Sequence, residues 1–406
     1  MAEMTLEKIV AAGLCSGCGA CVFAATQGAV EMRLDGDGFL RPVALRALNE
    51  TEQFSIRQFC PGIALQHPEQ FDKGVSYHHV WGPVSRLAAG HAADADVRHK
   101  GSSGGALSGL LIHLLETGKI DFVLHTRASE TQPLTNESVF SSTRKDVIAA
   151  AGSRYAPASP VAALRDALAR PGRFAFVGKP CDVAAVRKIV QARPELAERI
   201  PYLLSFMCAG TPSMKGTHEI LQRFKLNADE VVGFRYRGDG WPGLACAETV
   251  GGQRETMDYN TAWGTILNRH LQSRCKMCAD GTGEFADVVG ADAWHGKDGY
   301  PDFAEAEGRS LVLARTGTGS RLVSQAVDAG AIAIEPFPIE NLNAIQPYQR
   351  RRKQEIRARA LAAKIFKRTS PTYIRFKLED CSAQLSRYKF IKVLVGTAVR
   401  IFNNRV

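Results

Sequence analysis

The chain has 406 residues, 45% of them hydrophobic, so it can bury a large core and carry smaller attachments. Its net charge of +10 comes from one end, because residues 347–406 hold 16 Lys and Arg against three acids and leave 35 basic against 38 acidic residues elsewhere. Nucleic-acid binding by the body of the chain is therefore not expected.

The first distinctive segment is a cysteine run followed by a remote Cys-Pro, namely Cys15, Cys18, Cys21 and Cys60-Pro61. Three thiolates at this spacing on a glycine-containing loop can bind three irons of a 4Fe-4S cluster. No second run of this kind exists, so Cys60 is expected to bind the fourth iron. Zinc instead prefers two separated C-x-x-C pairs, and we predict a cluster.

Cysteine usage also indicates the compartment. The chain has ten cysteines, no leader-like charged and apolar start, and no apolar run of membrane-spanning length. These features predict a cytoplasmic protein whose thiolates bind metal instead of forming disulfides.

Residues 1–75 are predicted to form a small ferredoxin-like iron–sulfur module. Beyond it, strands and helices alternate through residues 76–346. Apolar spacing predicts a helix over 106–115 that ends at Gly118. Further strands are expected at 120–124, 174–178 and 202–207, with helices at 184–190 and 216–224 and a strand-rich stretch over 231–256. The pattern predicts a mixed α/β domain.

The best candidate for an anion site precedes the helix at 106–115. It consists of Lys100, Gly101, Ser102, Ser103, Gly104 and Gly105. Small residues let backbone N–H groups approach a phosphate, although an ordinary capped helix start is the commoner meaning of such a run. Residues 238–243 match G-x-G-x-x-G but run into a strand-like segment, so a nicotinamide site is rejected.

A second group of cysteines follows the predicted strands. It contains Cys181, Cys208, Cys275 and Cys278. By spacing alone, these four sulfurs suit zinc or a second cluster equally well, and thiols without a ligand are a third alternative. Cys246 and Cys381 belong to neither group and are predicted to be structural.

Residues 347–406 form a basic tail with two amphipathic patterns, over 350–367 and 385–402. One apolar face of the second pattern would contain Leu385, Tyr388, Ile391, Val395, Ala398 and Phe402. Peripheral contact with an anionic membrane is one interpretation, and the other is a helix packed on the protein's own body or a solvated tail.

Taken together, these motifs resemble the beta-subunit family of coenzyme F420 (deazaflavin) hydrogenases and dehydrogenases, which includes 7-hydroxymethyl chlorophyll a reductase and ferredoxin-dependent divinyl chlorophyllide reductase. The resemblance implies that the Ser/Gly loop holds the phosphates of FAD. It also implies that Ser153, Tyr155 and Asp292 lie near the flavin and that the second cysteine group binds a 4Fe-4S cluster. One departure from the family pattern lies at residues 291–294, which read Ala-Asp-Ala-Trp where the family often has Gly-Asp-Ala-Trp.

The resulting prediction is a reductase with FAD and two 4Fe-4S clusters. It would take electrons from ferredoxin or a similar donor and reduce a small organic substrate. Tyr155 or His295 would supply the proton. The alternatives are an electron-transfer or deazaflavin-reducing subunit of a larger complex, and an iron–sulfur or zinc scaffold whose tail binds nucleic acid or a membrane.

Overall fold

The computed structural model describes residues 4–297 and 300–403. In chain order the helices are α1 (Leu6–Ala11), α2 (Ala20–Ala24), α3 (Glu50–Phe59), α4 (Ala95–Lys100), α5 (Ala106–Glu116), α6 (Arg144–Ala149), α7 (Leu164–Ala169), α8 (Pro180–Ala192), α9 (Met214–Phe224), α10 (Ser273–Lys276), α11 (Gly317–Asp328), α12 (Leu342–Ile345), α13 (Pro347–Ile365), α14 (Leu378–Ala383) and α15 (Arg387–Phe402). The strands are β1 (Val30–Leu34), β2 (Leu40–Ala44), β3 (Ala64–Gln66), β4 (Ser76–His78), β5 (Gly82–Val84), β6 (Arg86–Ala92), β7 (Phe122–Ala128), β8 (Asn136–Ser141), β9 (Phe174–Gly178), β10 (Tyr202–Phe206), β11 (Val231–Arg235), β12 (Ala245–Thr249), β13 (Arg254–Met257), β14 (Val288–Asp292), β15 (His295–Lys297), β16 (Tyr300–Asp302), β17 (Ser310–Ala314), β18 (Ile332–Pro336) and β19 (Thr372–Ile374).

An eight-stranded mixed sheet is the centre of the fold, with strand order β18-β6-β17-β14-β10-β9-β7-β8. The neighbours β7, β9, β10 and β14 run parallel, and the strands on both flanks pair antiparallel. Helix α8 connects β9 to its parallel neighbour β10, as such a crossover requires. The predicted mixed α/β class is confirmed.

Alternate residues of the central strands pack into two separate cores. On β9, Phe174 and Phe176 belong to one core and Ala175 to the other, and on β10 Leu203 and Leu204 divide in the same way. Because side chains alternate between the two faces of a strand, short apolar runs of this kind indicate a sheet covered on both faces. The predicted helices at 106–115, 184–190 and 216–224 correspond to α5, α8 and α9.

The N-terminal segment consists of short helices around the antiparallel β1–β2 hairpin. Phe23, Phe59 and Leu65 of this segment are buried in the same core as Phe176 of the central sheet. Strand β3 pairs in parallel with β19, which comes from the far end of the chain. A ferredoxin-like fold for this segment, and its limit at residue 75, stay predictions.

The tail helices at 350–367 and 385–402 correspond to α13 and α15. Helix α13 is packed against the body, since Arg352, Lys353 and Ile356 are all buried. Among the described residues, no helix is both long and apolar enough to cross a bilayer.

A buried polar network centred on Glu284 joins the N-terminal segment, the main sheet domain and the tail. The Glu284 carboxylate lies 2.8 Å from His67 Nε2, accepts a hydrogen bond from the Tyr77 hydroxyl at 3.1 Å and pairs with Lys353 Nζ at 2.5 Å. Burial opposes ionisation of Glu284, but Lys353 and His67 hold its pKa at about 2. The carboxylate therefore stabilises the fold above about pH 4.3, the ordinary Glu pKa, and this contribution is lost as the pH falls towards 2.

We expect Lys353→Met to lower the free energy of unfolding at pH 7 by roughly 3–5 kcal/mol, because it leaves a buried carboxylate without its cation. Urea denaturation followed by circular dichroism measures this change. The control Lys364→Met removes an exposed Lys from the same helix and should change the free energy by less than about 0.5 kcal/mol. Adding Glu284→Gln to Lys353→Met should restore part of the loss; equal stabilities of all these variants would contradict the assignment.

Candidate functional site

The parallel strands of the central sheet place three loops at one edge. Strands β9, β10 and β14 are parallel neighbours, so their carboxyl ends, Gly178, Phe206 and Asp292, lie at the same edge of the sheet. Cys181 and Cys208 follow the first two of these ends within three residues. Loops at the carboxyl ends of parallel strands are where open α/β sheets bind ligands.

The first cysteine set consists of Cys15, Cys18, Cys21 and Cys60. The thiol of Cys21 interacts electrostatically with the other three, so the set is gathered in space as the spacing predicts. Gly17 and Gly19 have φ of 75° and 88°, and a Cβ on Gly19 would lie 2.7 Å from the backbone nitrogen of Ala162. This loop therefore needs glycine both for its left-handed turns and for its packing on the body.

The second cysteine set consists of Cys181, Cys208, Cys275 and Cys278. The thiol of Cys208 interacts with those of Cys275 and Cys278, and Cys181 interacts with Cys208. The backbone N–H of Thr211 donates to Cys275 Sγ at 3.3 Å. The structure therefore brings together all four cysteines that spacing alone left undecided.

Thiolates at either set need compensation for burial. Burial raises the pKa of Cys18 to about 12, and it also raises that of Cys208 to about 12. Protonated thiols bind metal poorly, so a metal group at these positions would have to displace the protons and supply positive charge.

Buried cations face the cysteine sets. Arg352 donates from Nη1 to the carbonyl of Cys208 at 2.9 Å and from Nε to that of Cys278 at 3.3 Å. Arg274 donates to the carbonyl of Pro61 at 3.0 Å, next to Cys60. Burial opposes the charge on Arg352, but the thiols of Cys278 and Cys208 raise its pKa. These guanidinium groups lower the electrostatic cost of placing negative sulfur here.

Two buried polar atoms beside the cysteines lack partners. Within residues 4–297 and 300–403, neither Ser16 Oγ nor Arg274 Nε has a hydrogen-bond partner. Buried donors are normally paired, so these two atoms are suited to donate to a group that offers acceptor atoms, such as sulfide. The same part of the chain contains no cluster of three or more His, Cys, Asp or Glu placed to hold a single metal ion.

The two cysteine sets are adjacent. The thiol of Cys18 in the first set is close enough to raise the pKa of Cys181 in the second. Gln272 donates to the carbonyl of Ser16 at 3.1 Å and accepts from Arg41 at 3.0 Å, which fixes the segment before Cys275 on the N-terminal loop. Two groups bound by these sets would be neighbours.

A cavity of about 540 Å³ lies against the second cysteine set, and Cys208 is part of its wall. Aromatic side chains form part of the remaining wall. Among them are Tyr155, Tyr259, Trp263, Trp294, Tyr300 and Phe303. A cavity of this size, lined by aromatic side chains together with many polar groups, is large enough to hold a cofactor.

The Ser/Gly loop lies at the cavity, and Gly101, Ser102, Ser103 and Gly105 line it. Gly105 is the N-cap of α5, with φ of 69° and no side-chain cap. The Ala106 N–H donates to Ser310 Oγ at 3.4 Å, so the N–H groups of the rest of the first turn are the ones available to an anion. Lys100, predicted to add charge, is absent from the cavity wall, and its Nζ lies 3.2 Å from Asp239.

Gly104 and Gly105 are required by close backbone packing. A Cβ on Gly104 would lie 2.8 Å from the backbone of Gly308 and Arg309. A Cβ on Gly105 would lie 2.3 Å from the carbonyl oxygen of Val97. The loop is thus packed against backbone on both sides, which fixes the position of the start of α5 at the cavity.

Arg237 fixes the geometry of the cavity wall. Its guanidinium pairs with both oxygens of Asp292, at 2.8 and 3.0 Å, and donates to the carbonyls of Pro242 and Ser102. Trp241 Nε1 also donates to Asp292 at 2.8 Å. Asp292 lines the cavity, but its carboxylate is engaged by protein donors and serves to hold the Ser/Gly loop in place.

The structure separates the two predicted proton donors. Tyr155 lines the cavity, with its ring centroid 4.7 Å from that of Trp263, and the neighbouring Ser153 Oγ lies 2.7 Å from Ser102 Oγ. His295 is exposed, its ring packs near Trp241, and it does not line the cavity. Of the two, only Tyr155 lines the cavity.

Sequence reasoning missed the contribution of α13. Tyr348, Gln349 and Arg351 line the cavity, and Gln349 Nε2 donates to the carbonyl of Cys208 at 3.2 Å. In the sequence, Arg352 is only one member of a basic tail. A run of like charges gives no sign of which member is buried, so the sequence carries no signal for it.

Two family profiles match the chain. Both describe the beta subunit of coenzyme F420 hydrogenase/dehydrogenase: the profile of its N-terminal part matches residues 87–165, and the profile of its C-terminal part matches residues 172–340. Together they cover more than half of the chain. The first cysteine set lies outside both ranges.

Individual relatives agree with the profiles. The chain is 25% identical over 346 residues to the F subunit of F(420)H(2) dehydrogenase of Methanosarcina mazei, and the match covers 82% of this chain and 88% of the relative. It is 26% identical over 266 residues to the beta subunit of coenzyme F420 hydrogenase of Methanothermobacter thermautotrophicus, covering 64% and 86%. The match to coenzyme F420-dependent sulfite reductase of Methanocaldococcus jannaschii is 24% over 351 residues and spans 79% of this chain and 47% of that protein.

A solved structure shares the fold. One chain of the F420-reducing [NiFe] hydrogenase complex from Methanosarcina barkeri superposes with a TM-score of 0.55 at 20% identity. The match covers 73% of this chain and 96% of the other.

We expect Gly105→Ala to destabilise the protein, because the added Cβ meets the Val97 carbonyl in a left-handed conformation. The control is Gly118→Ala at the other end of α5, which has φ of 63° and no atom within 4 Å of the added Cβ. In both variants an alanine adopts the left-handed conformation, which lowers the free energy of unfolding by about 1–2 kcal/mol. Any further decrease in Gly105→Ala measures the clash with the Val97 carbonyl. Equal unfolding free energies for the two variants would contradict the tight packing of the loop.

Proposed function

Because the chain belongs to the coenzyme F420 hydrogenase/dehydrogenase beta-subunit family, we propose that it is an iron–sulfur flavoprotein subunit of an oxidoreductase. In this proposal it passes electrons between a partner protein and a deazaflavin or similar two-electron carrier. The single observation that carries the proposal is that the first cysteine set lies beside the second and the second lies beside the cavity. Cys208 belongs both to the second set and to the cavity wall.

The proposed cofactors are two 4Fe-4S clusters and FAD. Each cysteine set has the four thiols that a cubane cluster needs, and the unpaired Ser16 Oγ and Arg274 Nε would be donors to cluster sulfur. The open first turn of α5, with Ser102 and Ser103, would hold the FAD phosphates. When bound, FAD would exchange electrons singly with the clusters and in pairs with a carrier.

The chain's own residues have distinct tasks in this scheme. Arg274 and Arg352 place positive charge beside the cysteines and so favour added negative charge there. Arg237 holds the Ser/Gly loop against Asp292, which keeps the phosphate cradle in position. The Tyr155 hydroxyl is the candidate proton donor inside the cavity.

The comparisons favour a subunit over a free-standing reductase. The relatives from Methanosarcina mazei and Methanothermobacter thermautotrophicus are named as subunits of larger enzymes. A partner that supplies or removes single electrons is therefore expected, and a ferredoxin-like protein suits that role.

A free-standing reductase that uses ferredoxin and an organic substrate is the second candidate. It is favoured by the cavity wall formed by Tyr348, Gln349 and Arg351, which lie beyond residue 340, where the family match ends. Such a wall would give this chain a substrate preference of its own.

Anaerobically purified protein should contain about eight irons and about one FAD, because each set supplies four thiolates. It should also reduce coenzyme F420 with reduced methyl viologen as the donor. Cys208→Ser should lose about half of the iron, retain FAD and lose electron transfer from the dye. These quantities are measured by iron and flavin analysis and by the absorbance of the deazaflavin.

The matched control is Cys246→Ser, which removes a buried cysteine outside both sets and should keep the full iron content. Zinc in place of iron, or absence of flavin, would contradict the proposal. Full iron and flavin without F420 reduction would favour the second candidate.

Arg352→Gln should lower the reduction potential of the second cluster, because it removes a buried positive charge that favours the reduced form. We expect a decrease of about 60 mV or more, which is a tenfold change in equilibrium constant for one electron. A redox titration followed by electron paramagnetic resonance measures it. Arg357→Gln removes a charge from an exposed position on the same helix and should leave the potential nearly unchanged; equal shifts in the two variants would exclude a local effect of Arg352.

A further inference from the structure

Helix α15 exposes a row of large apolar side chains to solvent. This apolar stripe consists of Tyr388, Ile391, Val395, Val399 and Phe402, and each of them is between 51% and 78% exposed. At about 100° per residue the five side chains fall on one face of the helix. Five such residues on one face form a contiguous apolar patch, which marks an interaction site more often than a free surface.

The opposite face of α15 holds the helix on the protein. Thr397 and Ile401 are buried, and Ile401 packs in one cluster with Ala362 and Ala363 of α13 and with Met277. The helix starts at a regular N-cap, with the Ser386 side chain accepting from the Lys389 N–H. The stripe is therefore presented outward by a helix that is already folded and fixed.

The charges around the stripe all have one sign. Helix α15 contains no acidic residue. Arg387 lies on one side of the stripe, and Lys392 and Lys389 lie on the other. None of these three forms an ion pair with any described residue. In contrast, Arg357 and Arg359 of α13 are paired with acids.

We propose that α15 lies flat on an anionic lipid surface, with its apolar stripe in the acyl boundary and its cations among the headgroups. An apolar face bordered on both sides by Lys and Arg is the pattern of an interfacial helix. Long basic side chains can reach headgroups while their stems cover the apolar edge. The helix is about 24 Å long, and no described helix is suited to cross a bilayer, so contact is along the surface.

Contact along α15 would fix how the second cysteine set is oriented relative to the lipid surface. Ile401 belongs to the same apolar cluster as Met277, which lies between Cys275 and Cys278, so a lipid surface in contact with α15 would be on the side of the protein that holds the second cysteine set. The lipid interaction itself does not depend on the proposed function, since it rests only on the tail helix.

The test is sedimentation of the full-length protein with vesicles of phosphatidylcholine alone or of equal parts phosphatidylcholine and phosphatidylglycerol. Binding is expected to the anionic vesicles only, and it should weaken as salt is raised from about 0.1 M to about 1 M. Ile391→Ser/Val395→Ser/Phe402→Ser should reduce binding to the level seen with neutral vesicles. Lys389→Gln/Lys392→Gln should weaken binding about fivefold for each charge removed.

Matched controls separate α15 from general surface effects. Val232→Ser/Val250→Ser removes two exposed apolar residues elsewhere, and Lys119→Gln/Lys145→Gln removes two exposed charges elsewhere; both should bind as the wild type does. A second readout is a blue shift of tryptophan fluorescence in a Tyr388→Trp variant on anionic vesicles. The proposal is overturned if the wild type does not bind, if the stripe variant binds normally, or if the wild type is a dimer that the stripe variant converts to monomer.

Discussion

The parallel pairing of β9, β10 and β14 is the constraint on which the site depends. Because the three strands run in the same direction, the loops that follow them meet at one edge of the sheet. Three residues lie at that edge. Cys181 and Cys208 belong to the second cysteine set, and Cys208 also lines the cavity. Asp292 pairs with Arg237, which holds the Ser/Gly loop. A different strand direction would separate these three residues.

Burial of charge is the second organising principle. Eight cysteines in two adjacent sets would concentrate negative charge inside the protein once they bind metal. The structure places two buried cations beside them: Arg274, which directly precedes Cys275, and Arg352, which comes from α13. The basic character of residues 347–406 is therefore partly an internal feature, because α13 supplies Arg352 to the second cysteine set and Lys353 to Glu284. Only the remainder, including the cations of α15, is a surface property.

The sequence predicts the features that rest on local patterns. Apolar periodicity locates α5, α8 and α9, and the alternation of strands and helices identifies the mixed α/β class. The cysteine spacing groups Cys15, Cys18, Cys21 and Cys60, while glycines and serines locate the loop before α5. Each of these signals lies within a short stretch of chain, where spacing reflects geometry directly.

Features that depend on distant contacts are not predictable in this way. Lys100 is expected at the anion site because it is next to the loop, but Asp239 draws it away. His295 follows β14 closely yet lies outside the cavity. Arg237 and Arg352 have roles set by partners 55 and 144 residues away, and no local pattern marks them. The exposed stripe of α15 needs the structure, since the same pattern fits a helix packed on the body.

The central claim is that two metal groups are neighbours on a path that ends at the cavity. Electron paramagnetic resonance of the fully reduced protein tests this most directly, because two reduced clusters bound by adjacent cysteine sets interact magnetically. The account predicts about two spins per chain, with signals broadened or split by their interaction. A single isolated spin system, or two spins without any interaction, would contradict it.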